Sequence, residues 1–443
     1  MTHPVANLDR SRFGRVFVLV RSFVERVSHA STQWIEQVAA RRGMFAASLL
    51  VAVIAALLAV FVSFPGTILY HPLIGSRISD TLRLSHNLFD RDLQEDILAY
   101  RIVVPLLSRW TGTNQPWLLV VVFQWAALVL ALAVSFLAIV RKLGKEGICY
   151  AWPLTLALGL SFFTFWSYYG SGYFDAVTQL TLALALLISR PWALVPLALV
   201  GTLNDERFLI AAPFLVLWHA RGPGLRELVR SSWPRIAALL LAIGAVAFIR
   251  HGLTNGWWGP PILLPKVYQL IWQDVILGLK PFATHSRTTG WLVFLVNVFM
   301  AFRWLWWVVI AFLLTPIPTV SRTFKFLFAG ALLAAVLSTA TVMDVARSVG
   351  FLFPAILLAA VHWIPANSIR AARQLWWLLL LLIVTPVLCI NGNLPAFWLP
   401  LPLEIARFSY FVATGKDFIR DVIAPLLWSD SFLLPLHRFR KPR

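Results

Sequence analysis

Residues 44–62 read MFAASLLVAVIAALLAVFV, without a charged side chain. At a helical rise of about 1.5 Å per residue this run approaches the thickness of a bilayer's hydrocarbon core, about 30 Å. The runs 116–140 and 148–174 are likewise free of charge. Hydrophobic residues make up 59% of the 443-residue chain, charged residues 13%, and the mean hydropathy is +0.77. That leaves too little polar surface for a soluble domain. A β-barrel would show short alternating segments instead of long apolar runs. The expected fold is therefore all-α, a polytopic integral membrane protein of about 10–11 membrane helices, short broken ones among them.

Upstream of the first run, residues 1–43 carry seven arginines. Phe13, Val16, Phe17, Val20, Val24 and Val27 alternate with them, the pattern of an amphipathic helix lying on the inner leaflet. The positive-inside rule places this tail in the cytoplasm, and the first span serves as the targeting signal. Arginines flanking spans account for the net charge of +19 without nucleic acid. Cys149 and Cys389 fall near opposite faces as core residues. No Cys/His spacing fits a metal, so neither a disulfide nor a metal is expected.

Downstream, spans are expected at 117–140, 148–167, 176–189, 236–249, 291–314, 326–340, 350–363 and 375–389. The segment 192–218 carries Asp205, Glu206 and Arg207 at its centre. As one helix it would hold three charges near mid-membrane, at no less than about 2.5–3.5 kcal/mol for an isolated charge. Two short helices meeting at those residues on the outer side avoid this and make every inner turn basic. Arg303 lies inside an apolar run and finds no explanation in the sequence. The domain organisation is a tail (1–43), a transmembrane domain (44–390) with helical outer loops 65–115 and 250–290, and a C-terminal tail (391–443). Parity puts that last tail outside and its basic end puts it inside.

Residues 76–109, SRISDTLRLSHNLFDRDLQEDILAYRIVVPLLSR, form the first outer loop. Charge is dense there, and the loop ends in an apolar segment too short to cross, which suits the interface. Across the chain the outer face collects Asp80, the acids 90–96, Arg101, Asp175, Asp205, Glu206, Arg207, His285, Arg287, Asp344 and Arg347. Carboxylates beside arginines suit general-base attack with stabilisation of a departing phosphate. Each residue also has a structural reading. Asp80 caps a helix, the 90–96 acids are solvated, and Arg101 beside Tyr100 snorkels. Asp205, Glu206 and Arg207 neutralise one another, and Asp344 pairs with Arg347.

The segment Ala99-Tyr100-Arg101-Ile102-Val103-Val104-Pro105-Leu106-Leu107 resembles the YR-x-x-x-P-L-L element of bacterial GT-C-type, polyprenyl-phosphate-dependent membrane glycosyltransferases. Residues 201–207 are similar to that family's turn between two short helices, with Asp205 where a basic residue is common. Residues 343–347, followed by Phe353-Pro354, resemble its late D-x-x-R … P element. The resemblance implies an inverting enzyme of the bacterial inner membrane, without cofactor or metal. It would move a sugar from a polyprenyl-phosphate carrier to an envelope glycan, lipid or protein on the outer side. Asp80 would be the base, with Asp90, Asp92 or Asp96 in its place as the alternative. Arg101 and Arg347 would hold the lipid phosphate, among substrate-binding residues Tyr100, Asp175, Asp205, Glu206, Arg207, His285, Arg287 and Asp344. The alternatives are a transporter or flippase of a lipid-linked or anionic substrate, and an oligosaccharide polymerase or ligase relying on His285 and Arg287. Transporters tend to place charge at mid-membrane and to show paired repeats, and no repeat is evident here.

Overall fold

The computed structural model describes residues 12–62, 76–90, 93, 97–113, 115–161, 164, 173–222, 224–262, 287–341, 345–385, 387–391, 394–398 and 400–415. The chain is an α-helical membrane protein by length and composition. Met44–Val62, Pro116–Leu143, Leu225–Thr254 and Trp291–Leu314 are long and apolar enough to cross a bilayer. Asp175–Leu187, Pro191–Asn204, Phe208–His219 and Phe353–Ala366 are apolar but shorter.

The chain opens with α1 (Arg12–Arg42) and α2 (Met44–Val62), followed by α3 (Ser76–His86) and α4 (Val103–Thr111). Next come α5 (Pro116–Leu143), α6 (Ile148–Gly159) and α7 (Asp175–Leu187). Small residues on α2, Ala47, Ser48, Ala52, Ala55, Ala56 and Ala59, are buried and let α5 and α6 approach closely. At Gly159 a Cβ would stand 2.8 Å from that of Ala55, so the α2–α6 contact requires glycine. Helix α7 packs on α5, and residues Val120–Ala126 of α5 are wound as a π-helix.

The segment 192–218 forms two helices, α8 (Leu194–Asn204) and α9 (Phe208–His219), meeting at Asp205-Glu206-Arg207. Asn204 Nδ2 donates to the Phe174 carbonyl at 3.0 Å and to Thr178 Oγ1 at 2.9 Å, tying the turn to the start of α7. A Cβ on Gly201 would fall 2.3 Å from the Phe208 ring, so the turn closes only over a glycine.

Helix α10 (Leu225–Thr254) is longer than the expected span, and the outer loop opens only after its end. The run 291–314 is divided into α11 (Arg287–Phe302) and α12 (Trp306–Leu314) by a 3-10 turn at Arg303–Leu305. Arg303 is fully buried with φ of +49°, and its guanidinium donates to the carbonyls of Leu382, at 2.7 Å, Thr385 and Leu160. Those carbonyls close the ends of α6 and of a later helix, where the helix dipole is negative. This accounts for the one charge inside an apolar run.

The remaining helices are α13 (Arg322–Ser338), α14 (Val345–Gly350), α15 (Phe353–Ala366) and α16 (Ser368–Val384). The expected span 375–389 stops at Val384 and passes into an antiparallel hairpin, β1 (Val387–Asn391) and β2 (Leu394–Trp398), a departure from an all-α chain. Helix α17 (Leu401–Thr414) follows. Cys149 is free and half-buried, not a core residue.

Candidate functional site

The short approach to α4, the first turn of α7, the α8–α9 turn, the far end of α10 and helix α14 each contribute a charged side chain to one cluster. Asp175 opens α7 behind Phe174, which takes the left-handed conformation at φ 53°. This aims a buried carboxylate at α14. Arg347 of α14 grips it in the two-pronged manner, Nε to Oδ2 and Nη2 to Oδ1, both at 2.5 Å. Both side chains are nearly inaccessible, at 3% and 2% exposure. Arg347 Nη2 also lies 3.7 Å from Asp205 Oδ2.

Asp205 is the hub. Its Oδ2 is 3.0 Å from Arg101 Nη2 and 3.3 Å from Arg207 Nη1, and its Oδ1 accepts from the Arg207 backbone N–H at 3.0 Å. Burial pushes its pKa up, but Arg101, Arg207 and Arg347 outweigh this and hold it at about 2. Glu206, part-exposed, reaches Arg101 at 3.9 Å and Arg250 at 3.4 Å. The Tyr173 ring completes the arrangement, with the Arg347 guanidinium 4.1 Å and that of Arg101 5.5 Å from its centroid.

Arg101 has the most incomplete bonding of the cluster's arginines, with Arg250 Nε also unpartnered among the described residues. Arg101 is 4% exposed, and its Nε and Nη1 have no hydrogen-bond partner among the described residues. Burial works against its charge, yet Asp205 and Glu206 lift its pKa above the ordinary guanidinium value. A buried charged donor without a partner costs about 1–3 kcal/mol or more. An anion with oxygens spaced to meet a guanidinium edge removes that cost. Among the described residues the cluster holds Arg101, Arg207, Arg250 and Arg347 against Asp175, Asp205 and Glu206, one positive charge in excess. A single anionic group neutralises it.

Of the residues read from the sequence, Arg101, Asp175, Asp205, Glu206, Arg207 and Arg347 come together here. The Tyr100 hydroxyl donates to the Ile262 carbonyl at 3.3 Å, and the Arg250 guanidinium lies 5.7 Å from its ring centroid. It packs the site's wall. The cap reading of Asp80 fails: α3 begins at Ser76, so half-buried Asp80 stands inside the helix, on the element that packs against α4. Arg83 grips Asp90 in two places, at 3.0 and 2.9 Å, which assigns that acid to the loop's own folding. Asp92, Asp96, His285 and Asp344 lie outside the described residues, as does the side chain of Arg287. Among the described residues no group of acids, histidines and cysteines is arranged to hold a metal.

Sequence reading missed Arg250 and Tyr173. Arg250 reads as the first residue of a loop, whereas α10 continues through it to Thr254. A cation closing the outer end of an apolar run, on the side where Glu206 turns, was the available signal. Compared with known proteins, the chain matches no family model, no curated protein and no solved structure.

Proposed function

We propose that the protein is a membrane glycosyltransferase that takes a sugar from a polyprenyl-phosphate carrier and passes it to an acceptor hydroxyl of the cell envelope on the outer side. The observation that carries this reading is Arg101, buried beside Asp205 with Nε and Nη1 unpartnered among the described residues, in a cluster whose described members carry one positive charge in excess. A sugar phosphodiester bears one negative charge and meets both conditions. In the reaction the acceptor oxygen attacks the anomeric carbon and the bond from that carbon to the phosphate oxygen breaks. Polyprenyl phosphate departs with the electron pair, and the hydroxyl proton passes to a carboxylate, for which Asp80 is our assignment. Attack opposite the leaving group inverts the sugar. The charge that develops on the phosphate meets the fork of Arg101, where preformed donors in a water-poor site are most effective. Asp175 saturates one edge of Arg347, which makes Arg347 a positioning residue for the cluster.

One observation favours a second reading, transport of an anionic lipid-linked substrate. The broken helix pair α8–α9 and its buried charges have the form of a transporter's substrate site. Mass spectrometry of envelope glycans and lipid-linked sugars separates the two. It compares a deletion strain with strains rescued by the native chain or by Asp80→Asn at equal protein level. The glycosyltransferase reading predicts that Asp80→Asn reproduces the deletion, with the lipid-linked sugar accumulating. Full rescue by Asp80→Asn removes Asp80 from the mechanism, and a deletion without glycan change favours the transporter.

A further inference from the structure

At the other end of the bundle the turns between α5 and α6, α7 and α8, and α9 and α10 bring together Arg141, Lys142, Arg190, Arg221 and Arg235. None of these forms an ion pair among the described residues. Instead three of them use backbone carbonyls at helix ends. Arg141 donates to Leu187 at 2.9 Å, Lys142 to Trp218 at 2.7 Å and Arg235 to Ser189 at 2.7 Å. The adjacent carboxylate on α10, Glu227, folds back on its own helix start and accepts from the Gly224 N–H at 3.4 Å. Carbonyl partial charges offset only part of a full cation, so the patch retains its positive charge.

Between these turns lies a small, shallow cleft open to solvent. Arg190, Arg235 and His219 line it together with apolar Ile188, Leu194 and Leu215. Trp192, on the 3-10 turn before α8, is 64% exposed, and Trp233, on α10, is 59% exposed. Exposed tryptophans beside a span's end mark the level where lipid headgroups meet acyl chains. The cleft is thus cationic and apolar at once, at headgroup depth.

We propose that this cleft binds the phosphate headgroup of an anionic phospholipid from the leaflet at the basic end of the molecule. Uncompensated guanidinium groups select a net negative headgroup over a zwitterionic one. The apolar wall and the two tryptophans select a lipid over free phosphate. This site is separate from the Arg101 cluster, and its existence does not depend on the reaction proposed above.

The test uses the purified full-length protein in detergent, with retained lipid counted by native mass spectrometry during titration with phosphatidylglycerol, phosphatidylcholine or inorganic phosphate. We expect retention of phosphatidylglycerol, little phosphatidylcholine, and no displacement by millimolar phosphate. Arg190→Gln/Arg235→Gln lowers phosphatidylglycerol retention roughly tenfold, while Arg226→Gln/Arg230→Gln, which removes exposed cations outside the cleft, leaves it unchanged. Should the double variant fail to fold, Arg190→Gln alone decides, with a loss of severalfold expected. Equal retention of the two lipids, equal loss in the Arg226/Arg230 variant, full retention in Arg190→Gln, or displacement by free phosphate each overturns the proposal.

Discussion

Arg101 and Asp175 show what single residues contribute. The Arg347–Asp175 pair is buried, so removing one partner leaves an uncompensated charge in a dry site, at about 3–5 kcal/mol. Asp175→Asn therefore lowers the melting temperature and the yield of folded protein, measured by size-exclusion chromatography after heating. Arg101→Lys keeps the charge but loses the fork. We expect sugar transfer, followed through the lipid-linked donor pool, to fall at least tenfold with little change in folding. The pH response of Asp205 has a definite sign. Its folded pKa of about 2 lies below the ordinary 3.8. The stabilisation it contributes is complete above about pH 4 and is lost as the pH falls through 2. Melting temperatures flat from pH 5 to 8 and declining only below about 4 agree with this; a decline starting near 6 does not.

At the scale of elements, the α8–α9 break was legible because three adjacent charges cannot sit in a lone membrane helix. Gly201 sets its geometry: Gly201→Ala places a methyl group against the Phe208 ring, and overpacking of this kind costs about 1–3 kcal/mol. Phe208→Leu in that background should recover part of the lost thermal stability, and no recovery would mean that the backbone, not the ring, sets the constraint. The α11–α12 break was illegible. The partners of Arg303 are carbonyls of α6 and of the α16 end, and a backbone carbonyl leaves no mark in a sequence. Arg250 escaped for a similar reason, because its part in the site depends on α10 running on past its apolar run, five residues further to Thr254. The hairpin after Val384 was missed because its apolar residues read as the end of a span.

For the whole molecule, hydropathy carried most of the fold class, since span length and charge exclusion act along one dimension. The collection of charges at one end was also legible, through the alternation of basic and mixed turns. Which of those charges meet was not, because contact depends on how α7, α10 and α14 surround the α8–α9 turn. The resulting molecule is polarised, with paired carboxylates and arginines around Arg101 at one end and, among the described residues, cations without ion pairs at the other. The first end is, in our proposal, an anion site for a lipid phosphate. The most direct measurement is the affinity of the purified protein for a short-chain polyprenyl phosphate, native against Arg101→Gln, with circular dichroism confirming that both are folded. Loss of charge-assisted hydrogen bonds predicts binding weaker by roughly ten- to a hundredfold in the variant. Equal affinity in the two proteins would contradict the claim.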